Sequence, residues 1–152
     1  MLVRPAVPDD IPQIMNLAQQ SQTAAHWSER EYDALFAPEA PKRLALVACP
    51  QDHPGSVVGF IIALCVSDNW EIENVVVDPS LRQYGTGALL LRELLSQAKQ
   101  FGATSLLLEV RESNVAARVL YKKMGFSEEG RRPRYYRDPD EDAVLLRLAV
   151  TL

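Results

Sequence analysis

Apolar and polar positions along this chain follow two periods, one typical of strands and one typical of helices. Short runs rich in β-branched residues predict six strands, at 2–6, 43–48, 56–66, 70–77, 104–111 and 143–150. Apolar spacings of three and four residues predict helices between several of them. The basic segment 131–142 is interpreted as a further strand with a hairpin loop. This order of elements predicts a mixed α/β fold, an α+β sheet flanked by helices, in a single domain over 1–152.

Capping residues indicate where the predicted helices begin. Asp9 or Asp10 is expected to cap a first helix, and Ser28 with Glu31 forms a capping box for a second. Asn114 is expected to cap the last helix. A long amphipathic pattern follows the strand that ends in three valines. It has Leu91, Leu94, Leu95 and Ala98 at helical spacing and Gly102 at its end, and it predicts an amphipathic helix.

That valine-rich strand, the turn after it and the long helix form one unit. The turn ends in Gly85-Thr86-Gly87, and glycine, which lacks a Cβ, can adopt positive φ angles and let a ligand approach the main chain. Free N–H groups and the dipole at the helix N-terminus favour an anion such as a diphosphate. No GK[ST] ending follows, and Leu90 stands where a dinucleotide motif would have its third glycine. From these residues alone, a strand-to-helix connection without a ligand remains an open alternative.

Composition and charge exclude several classes of protein. A net charge of −4 disfavours general nucleic-acid binding and is compatible with a basic partner. No apolar run approaches the roughly 18 residues of a membrane helix, and no secretory signal is evident, so a cytoplasmic protein without membrane contact is expected. Cys49 and Cys65 are expected to be free thiols, and neither His26 nor His53 has metal-ligand spacing.

Several motifs resemble one known family. The segment RQYGTG at 82–87 fits the R/Q-x-x-G-x-G/A signature of the GNAT family of N-acetyltransferases, and the resemblance extends over nearly the whole chain. The other matching segments are HWSE at 26–29, NVVVDP at 74–79, LLLEVRESNVAARVLYKKMGF at 106–126, RRPRYY at 131–136 and EDA at 141–143. These segments resemble the branch that acetylates protein N-termini. The resemblance implies a central mixed sheet that opens between its fourth and fifth strands, here 70–77 and 104–111.

The resemblance also implies acetyl-CoA as the co-substrate, with no metal. In the family the turn holds the pyrophosphate, and the preceding strand offers backbone groups to the pantetheine arm and an N–H to the acetyl carbonyl. The cofactor-binding residues that it implies are Val75, Val76, Val77, Arg82, Gln83, Tyr84, Gly85, Thr86, Gly87, Ala88, Asn114 and Tyr121. Arg118 is a further candidate for a phosphate contact, whereas Arg111, Arg131, Arg132 and Arg134 are expected to be solvated surface charges.

Two residues are candidates for the proton transfers of the reaction. Glu109 lies on the strand face opposite Leu106, Leu108 and Val110. Spacing alone leaves a solvated surface carboxylate open at Glu109, and the resemblance implies the general base. Tyr121 could simply pack within its helix, and the resemblance implies that it is the acid that protonates the CoA sulfur.

Three aromatic residues near polar segments are candidates for binding the acceptor. The resemblance implies that Trp27, Tyr135 and Tyr136 flank a channel for an extended peptide, although packing also explains such residues. The expected reaction transfers an acetyl group to the N-terminal α-amine of a protein, with the N-terminal alanine of a small-subunit ribosomal protein as the acceptor. Another protein or a small-molecule amine remains the alternative. A non-catalytic acyl-CoA-binding module is disfavoured because both Glu109 and Tyr121 are present. A monomer or weak homodimer is expected.

Overall fold

The computed structural model describes residues 1–21, 24–25, 27–38, 42–82, 84–137 and 139–150. These residues form one sheet of seven strands with helices on its two faces. The strands are β1 Leu2–Pro5, β2 Arg43–Cys49, β3 Gly59–Val66, β4 Asn69–Val77, β5 Ser105–Arg111, β6 Ser127–Tyr136 and β7 Glu141–Ala149. The helices are α1 Ile11–Gln20, α2 Glu29–Asp33, α3 Thr86–Gln100 and α4 Val115–Lys123.

The sheet is mixed, as the sequence predicts. Its strand order is β1-β2-β3-β4-β5-β7-β6. Strands β4 and β5 are parallel and are joined by the crossover helix α3, whereas the other neighbouring strands are antiparallel. The insertion of β7 between β5 and β6 places the basic segment at the edge of the sheet.

The parallel pair β4 and β5 is joined along only part of its length. Residues 69–72 pair with residues 105–108, and Ile72 opposite Leu108 is the last pair. Beyond this point β4 continues to Val77, still paired with β3, and β5 continues to Arg111, still paired with β7. The predicted opening between these two strands is therefore confirmed.

A β-bulge lies at the point where the two strands separate. Ile62 and Ala63 are successive residues of β3, and they pair with Asn74 and Ile72, so Glu73 is an additional residue in β4. A bulge bends its strand, increases the local twist and exchanges the faces toward which the following side chains point. The second half of β4 therefore presents a different set of side chains to the opening than simple alternation from Trp70 would give.

Each face of the sheet carries its own apolar core. Helix α3 packs on one face through Leu91, Leu94 and Ala98, in agreement with its predicted apolar pattern. Helix α1 packs on the opposite face through Ile14 and Leu17. The two layers fix β4 from both sides, so the opening beside it is held by a rigid frame.

One predicted helix cap has a different role. The carboxylate of Asp10 precedes α1 but makes no hydrogen bond to the helix N-terminus. It accepts from the N–H of Val7 at 2.8 Å and from both terminal nitrogens of Arg4 at 2.8 and 2.9 Å. A bidentate pair between a guanidinium and a carboxylate is stronger than a hydrogen bond to a neutral backbone N–H, and through this pair Asp10 joins β1 to the entry of α1.

This buried ion pair generates a prediction about stability. The hydrogen bonds from Arg4 hold the pKa of Asp10 below its ordinary value of 3.8. A lowered pKa contributes stability that is present above the ordinary value and is lost as the pH falls through the folded-state pKa. Asp10→Asn should reduce the free energy of unfolding by about 1–3 kcal/mol at pH 7.

Urea unfolding of wild type and variant at pH 7 and near pH 3 measures this effect. The difference between them should shrink at the lower pH, and Asp9→Asn, at the exposed neighbouring position, should change little at either pH. A difference that does not depend on pH would contradict the assignment.

Candidate functional site

A cavity of about 430 Å³ occupies the opening between β4 and β5. Its floor is the end of the paired region of β4 and β5 together with the unpaired residues beyond it. Its walls come from α4, from the connection between α1 and α2, and from the end of β6. Its lining residues are Ala24, Ala25, Trp27, Glu71, Ile72, Glu73, Asn74, Val75, Leu108, Glu109, Val110, Arg111, Asn114, Ala117, Tyr121, Tyr135 and Tyr136. Both predicted proton-transfer residues and all three predicted acceptor aromatics therefore line one cavity.

Glu109 lies on the cavity floor with an arginine partner. Its strand neighbours Leu108 and Val110 are buried on the other face, as the predicted alternation requires. Its side chain is 20% exposed, and its Oε1 lies 3.1 Å from Nε of Arg132. Arg132, expected to be a solvated surface charge, is indeed 56% exposed, but it also forms this ion pair with Glu109.

Two further carboxylates face the same space. Glu73, the bulge residue, forms an ion pair with Arg43, with Oε1 and Nε 2.6 Å apart. Glu71 has no ion-pair partner among the described residues. Burial raises the pKa of Glu71, and the negative charges of Glu109 and Glu73 raise it further, whereas Arg132 opposes the shift. The cavity therefore has more negative than positive charge at its floor and attracts cations.

Tyr121 reaches the cavity from α4. The residue is 8% exposed, and its ring contacts Phe126 edge to face. Burial, followed by the proximity of Tyr136, raises the pKa of Tyr121 to about 12. Its hydroxyl therefore stays protonated at neutral pH and can donate a proton or a hydrogen bond to a group in the cavity.

Asn74 contributes a buried donor. The residue is 5% exposed, and its Oδ1 accepts from the N–H of Ala25 at 3.3 Å, which fixes the orientation of the amide. Its Nδ2 and the hydroxyl of neighbouring Tyr32 are both buried, and neither has a partner in good hydrogen-bond geometry among the described residues. Burial raises the pKa of Tyr32, and the nearby amide of Asn74 offsets part of that shift. Buried polar groups normally have partners, and the interaction between Asn74 and Tyr32 supplies one inside the protein.

The aromatic residues at the mouth are held by cations. The guanidinium carbon of Arg43 lies 5.2 Å from the centre of the Trp27 ring, and that of Arg111 lies 4.3 Å from the centre of the Tyr136 ring. Arg111, expected to be a solvated charge, is half-buried and also pairs with Glu141 at 3.1 Å. These contacts fix the rings before any ligand enters.

The glycine turn lies at the N-terminus of α3. Gly85 has a φ of +81°, as predicted for a close approach to the main chain, and the space where its Cβ would lie is open. Gly87 does not have a positive φ, because it already belongs to the first turn of the helix. A Cβ on Gly87 would lie 3.2 Å from a methyl carbon of Leu120, so its small size permits α3 and α4 to meet.

The remaining predicted cofactor residues are divided between the turn and the ends of the helices. Tyr84 is largely exposed, Thr86 is buried and Ala88 is half-buried. Gln83 lies outside the described residues, and so does His26 of the HWSE segment. Arg82 is exposed and directs its Nε toward the carbonyl of Val77 at 3.4 Å. The sequence correctly predicts Asn114 as the cap of α4, where its Oδ1 accepts from Ala117 N–H at 3.3 Å.

The remaining predicted residues are the three valines at the end of β4 and Arg118 in α4. Val76 is buried, and Val75 and Val77 are half-buried beside the opening. The side chain of Arg118 donates to the carbonyl oxygen of Glu112 at 3.0 Å. This bond tethers the start of α4 to the end of β5.

Sequence reasoning missed Glu71, Asn74 and the pairing of Arg132 with Glu109. Polar residues at 71, 73 and 74 within an apolar strand were the available signal, because a charged or amide side chain in a buried strand needs a partner. The bulge obscured which of them share a face. Nothing in the local sequence indicates that Arg132 reaches Glu109, because that contact depends on the pairing of β6 with β7.

The described residues show neither a metal-binding cluster nor a membrane-spanning helix. No group of three or more His, Cys, Asp or Glu among them is arranged to hold a metal ion. None of the helices that they form is long and apolar enough to cross a membrane.

Comparison with known proteins identifies the class. The sequence profile of the acetyltransferase (GNAT) family matches residues 11–126, and the chain therefore belongs to this family of acetyl-CoA-dependent acyltransferases. A relative from Escherichia coli strain K12, named ribosomal protein bS18-alanine N-acetyltransferase, is 33% identical over 145 residues, covering 94% of this chain and 93% of the relative.

Solved structures agree with this membership. The crystal structure of the ribosomal-protein-S18-alanine N-acetyltransferase from Escherichia coli superposes with a TM-score of 0.87 at 29% identity, covering 99% of this chain and 94% of that one. The structure of Ard1 from Thermoplasma volcanium gives a TM-score of 0.84 at 29% identity, covering 99% and 98%. The predicted GNAT fold is confirmed.

Proposed function

We propose that this N-acetyltransferase modifies the N-terminal α-amine of a protein, with the N-terminal alanine of a small-subunit ribosomal protein as the acceptor. The observation that carries the proposal is the convergence of Glu109, Tyr121 and the aromatic mouth on one cavity at the opening of the sheet. The names of relatives in Escherichia coli and Bacillus subtilis support the choice of acceptor. Free thiols at Cys49 and Cys65 are compatible with a reducing cytoplasm.

Acetyl-CoA is proposed to enter from the side of α3. The first N–H groups of this helix have no intrahelical acceptor, and the open space at Gly85 gives a phosphate access to them. The residues that would hold the co-substrate are those that the family motif predicts and that the structure describes. Among them, Arg82 lies at the start of the glycine turn, and Asn114 lies at the start of α4. The unpaired edge of β4 around Val75 and Val77 offers backbone groups to the extended arm, because β5 does not use them.

The two proton transfers are proposed to involve two of the titratable groups that line the cavity, Glu109 and Tyr121. An α-amine has an ordinary pKa of about 7.7–8.0, so near neutral pH it needs to lose only one proton before attack, and Glu109 is proposed to accept the proton released. The protonated hydroxyl of Tyr121 is proposed to supply a proton to the departing sulfur. A thioester is reactive enough for direct attack, so no covalent enzyme nucleophile is required.

An extended peptide fits the remaining features of the cavity. The rings of Trp27, Tyr135 and Tyr136 provide flat apolar surfaces at the mouth of the cavity, and these rings are already held in place in the free protein.

A panel of acceptors tests the proposed function. Peptides with different N-terminal residues and small amines are incubated with the enzyme and acetyl-CoA, and the products are identified by mass spectrometry. Alanine-initiated peptides should be acetylated on the α-amine in preference to lysine side chains and small amines. Acetylation of small amines alone would contradict the proposal.

The role of Glu109 predicts the behaviour of Glu109→Gln. The amide keeps the shape of the side chain but cannot accept the proton, so kcat should fall by roughly 10²-fold near neutral pH. Acetyl-CoA affinity should be nearly unchanged. Glu112→Gln is the matched control, because Glu112 pairs with Arg131 outside the cavity. Full activity of the Glu109 variant at pH 7 would exclude this base.

The role of Tyr121 predicts different effects for two substitutions. Tyr121→Phe removes only the hydroxyl, so the thermal midpoint should be preserved while kcat falls by roughly 10²-fold. Tyr121→Ala should also lower the midpoint, because it removes the ring that packs against Phe126. Steady-state kinetics and thermal melts on both variants measure these effects. A Phe variant with full turnover would show that Tyr121 only packs.

A further inference from the structure

Arg132 is the cation nearest to the proposed base in the free protein. Its Nε lies 3.1 Å from Oε1 of Glu109, and its guanidinium carbon lies 5.3 Å from the centre of the Tyr135 ring. The side chain of Arg132 is 56% exposed, whereas that of Glu109 is 20% exposed. The arginine therefore reaches the carboxylate from the solvent side and can leave it without crossing packed protein.

The neighbouring charges do not provide another partner for Glu109. Arg43 is paired with Glu73, and Arg111 is paired with Glu141. Glu71 adds a second negative charge beside Glu109 and has no ion-pair partner among the described residues. The space at Glu109 is consequently built to hold one cation, which Arg132 supplies when no acceptor is present.

We propose that the acceptor's α-ammonium exchanges with Arg132 at Glu109 when the acceptor binds, and that Arg132 returns when the nitrogen has lost its charge. This inference deepens the proposed function and rests on its acceptor amine reaching Glu109. Arg132 moves toward solvent along the Tyr135 ring, so its charge is not stranded in the cavity. Arg132 is thus a displaceable counter-ion of Glu109 that competes with the acceptor.

The charge balance of the reaction gives the exchange its direction. The new N–C bond forms as the C–S bond of the thioester breaks, and an ammonium becomes a neutral amide. Of the ammonium's protons, one remains on the amide nitrogen, the equivalent of one ends on the CoA thiol, and one is released to solvent. The product can no longer compensate Glu109, so the returning guanidinium favours product release.

The test compares binding of a free-amine peptide with binding of its N-acetylated product. The protein is saturated with CoA, which lacks the acetyl group and permits no turnover, and binding is measured by calorimetry. An exposed ion pair contributes about 0.2–1 kcal/mol, so Arg132→Gln should tighten binding of the free-amine peptide by about 1.5- to 5-fold. For the acetylated peptide, the same substitution should tighten binding by a smaller factor or should weaken it.

Arg147→Gln is the matched control, because it removes the same charge from the same sheet at a pair with Glu129, 3.5 Å away and outside the cavity. It should leave the ratio of the two affinities unchanged. An equal change for both peptides in Arg132→Gln would indicate a general charge effect and would overturn the exchange. A fall in kcat with unchanged affinities would instead mean that Arg132 holds Glu109 in place during turnover, and would also overturn it.

The exchange at Glu109 can still be tested if the proposed acceptor is wrong. If the acceptor panel yields no acetylated peptide, the proposed acceptor is wrong, and the same comparison is made with the amine that is acetylated and its acetylated form. The exchange predicts the same change in affinity ratio for that pair. An unchanged ratio then contradicts the exchange independently of the acceptor.

Discussion

The loss of pairing between β4 and β5 beyond Ile72 and Leu108 is the constraint on which the rest of the site depends. Backbone groups in the middle of a sheet are normally occupied by both neighbouring strands. Here the bulge at Glu73 bends β4 away while β3 and β7 continue to hold the outer edges of the two strands. The exposed edge and the space beside it are therefore properties of the backbone, and the flanking cores prevent the gap from closing.

The polar and charged side chains around this gap differ between its interior, its floor and its rim. The interior side holds Tyr121, whose burial keeps it protonated, and the floor holds carboxylates that attract an amine. The rim holds arginines that pair with Glu73 and Glu109 and that contact the aromatic rings. Under the proposed function, an acceptor would meet aromatic surface first, then negative charge, and finally Tyr121, the proposed proton donor.

The sequence predicts those features that depend on local periodicity. The helical pattern of α3, the cap at Asn114 and the orientation of Glu109 away from Leu108 all follow from spacing within one element. The pairing of Arg132 with Glu109 could not be predicted in this way, because it depends on the long-range register of β6, β7 and β5. The face of Asn74 was likewise hidden, since one inserted residue in β4 reverses the alternation and only the pairing with β3 reveals it.

Amide hydrogen exchange in β4, followed by NMR with and without saturating acetyl-CoA, tests most directly whether the unpaired edge of this strand holds the co-substrate. Successive N–H groups of a strand point to opposite edges, so alternate residues within 73–77 face the opening, and the others bond to β3. The expected result is increased protection at those alternate amides and little change over 69–72, which pair with β5. Protection that rises equally in both halves of β4, or in neither, would contradict a co-substrate site built on the separation of the two strands.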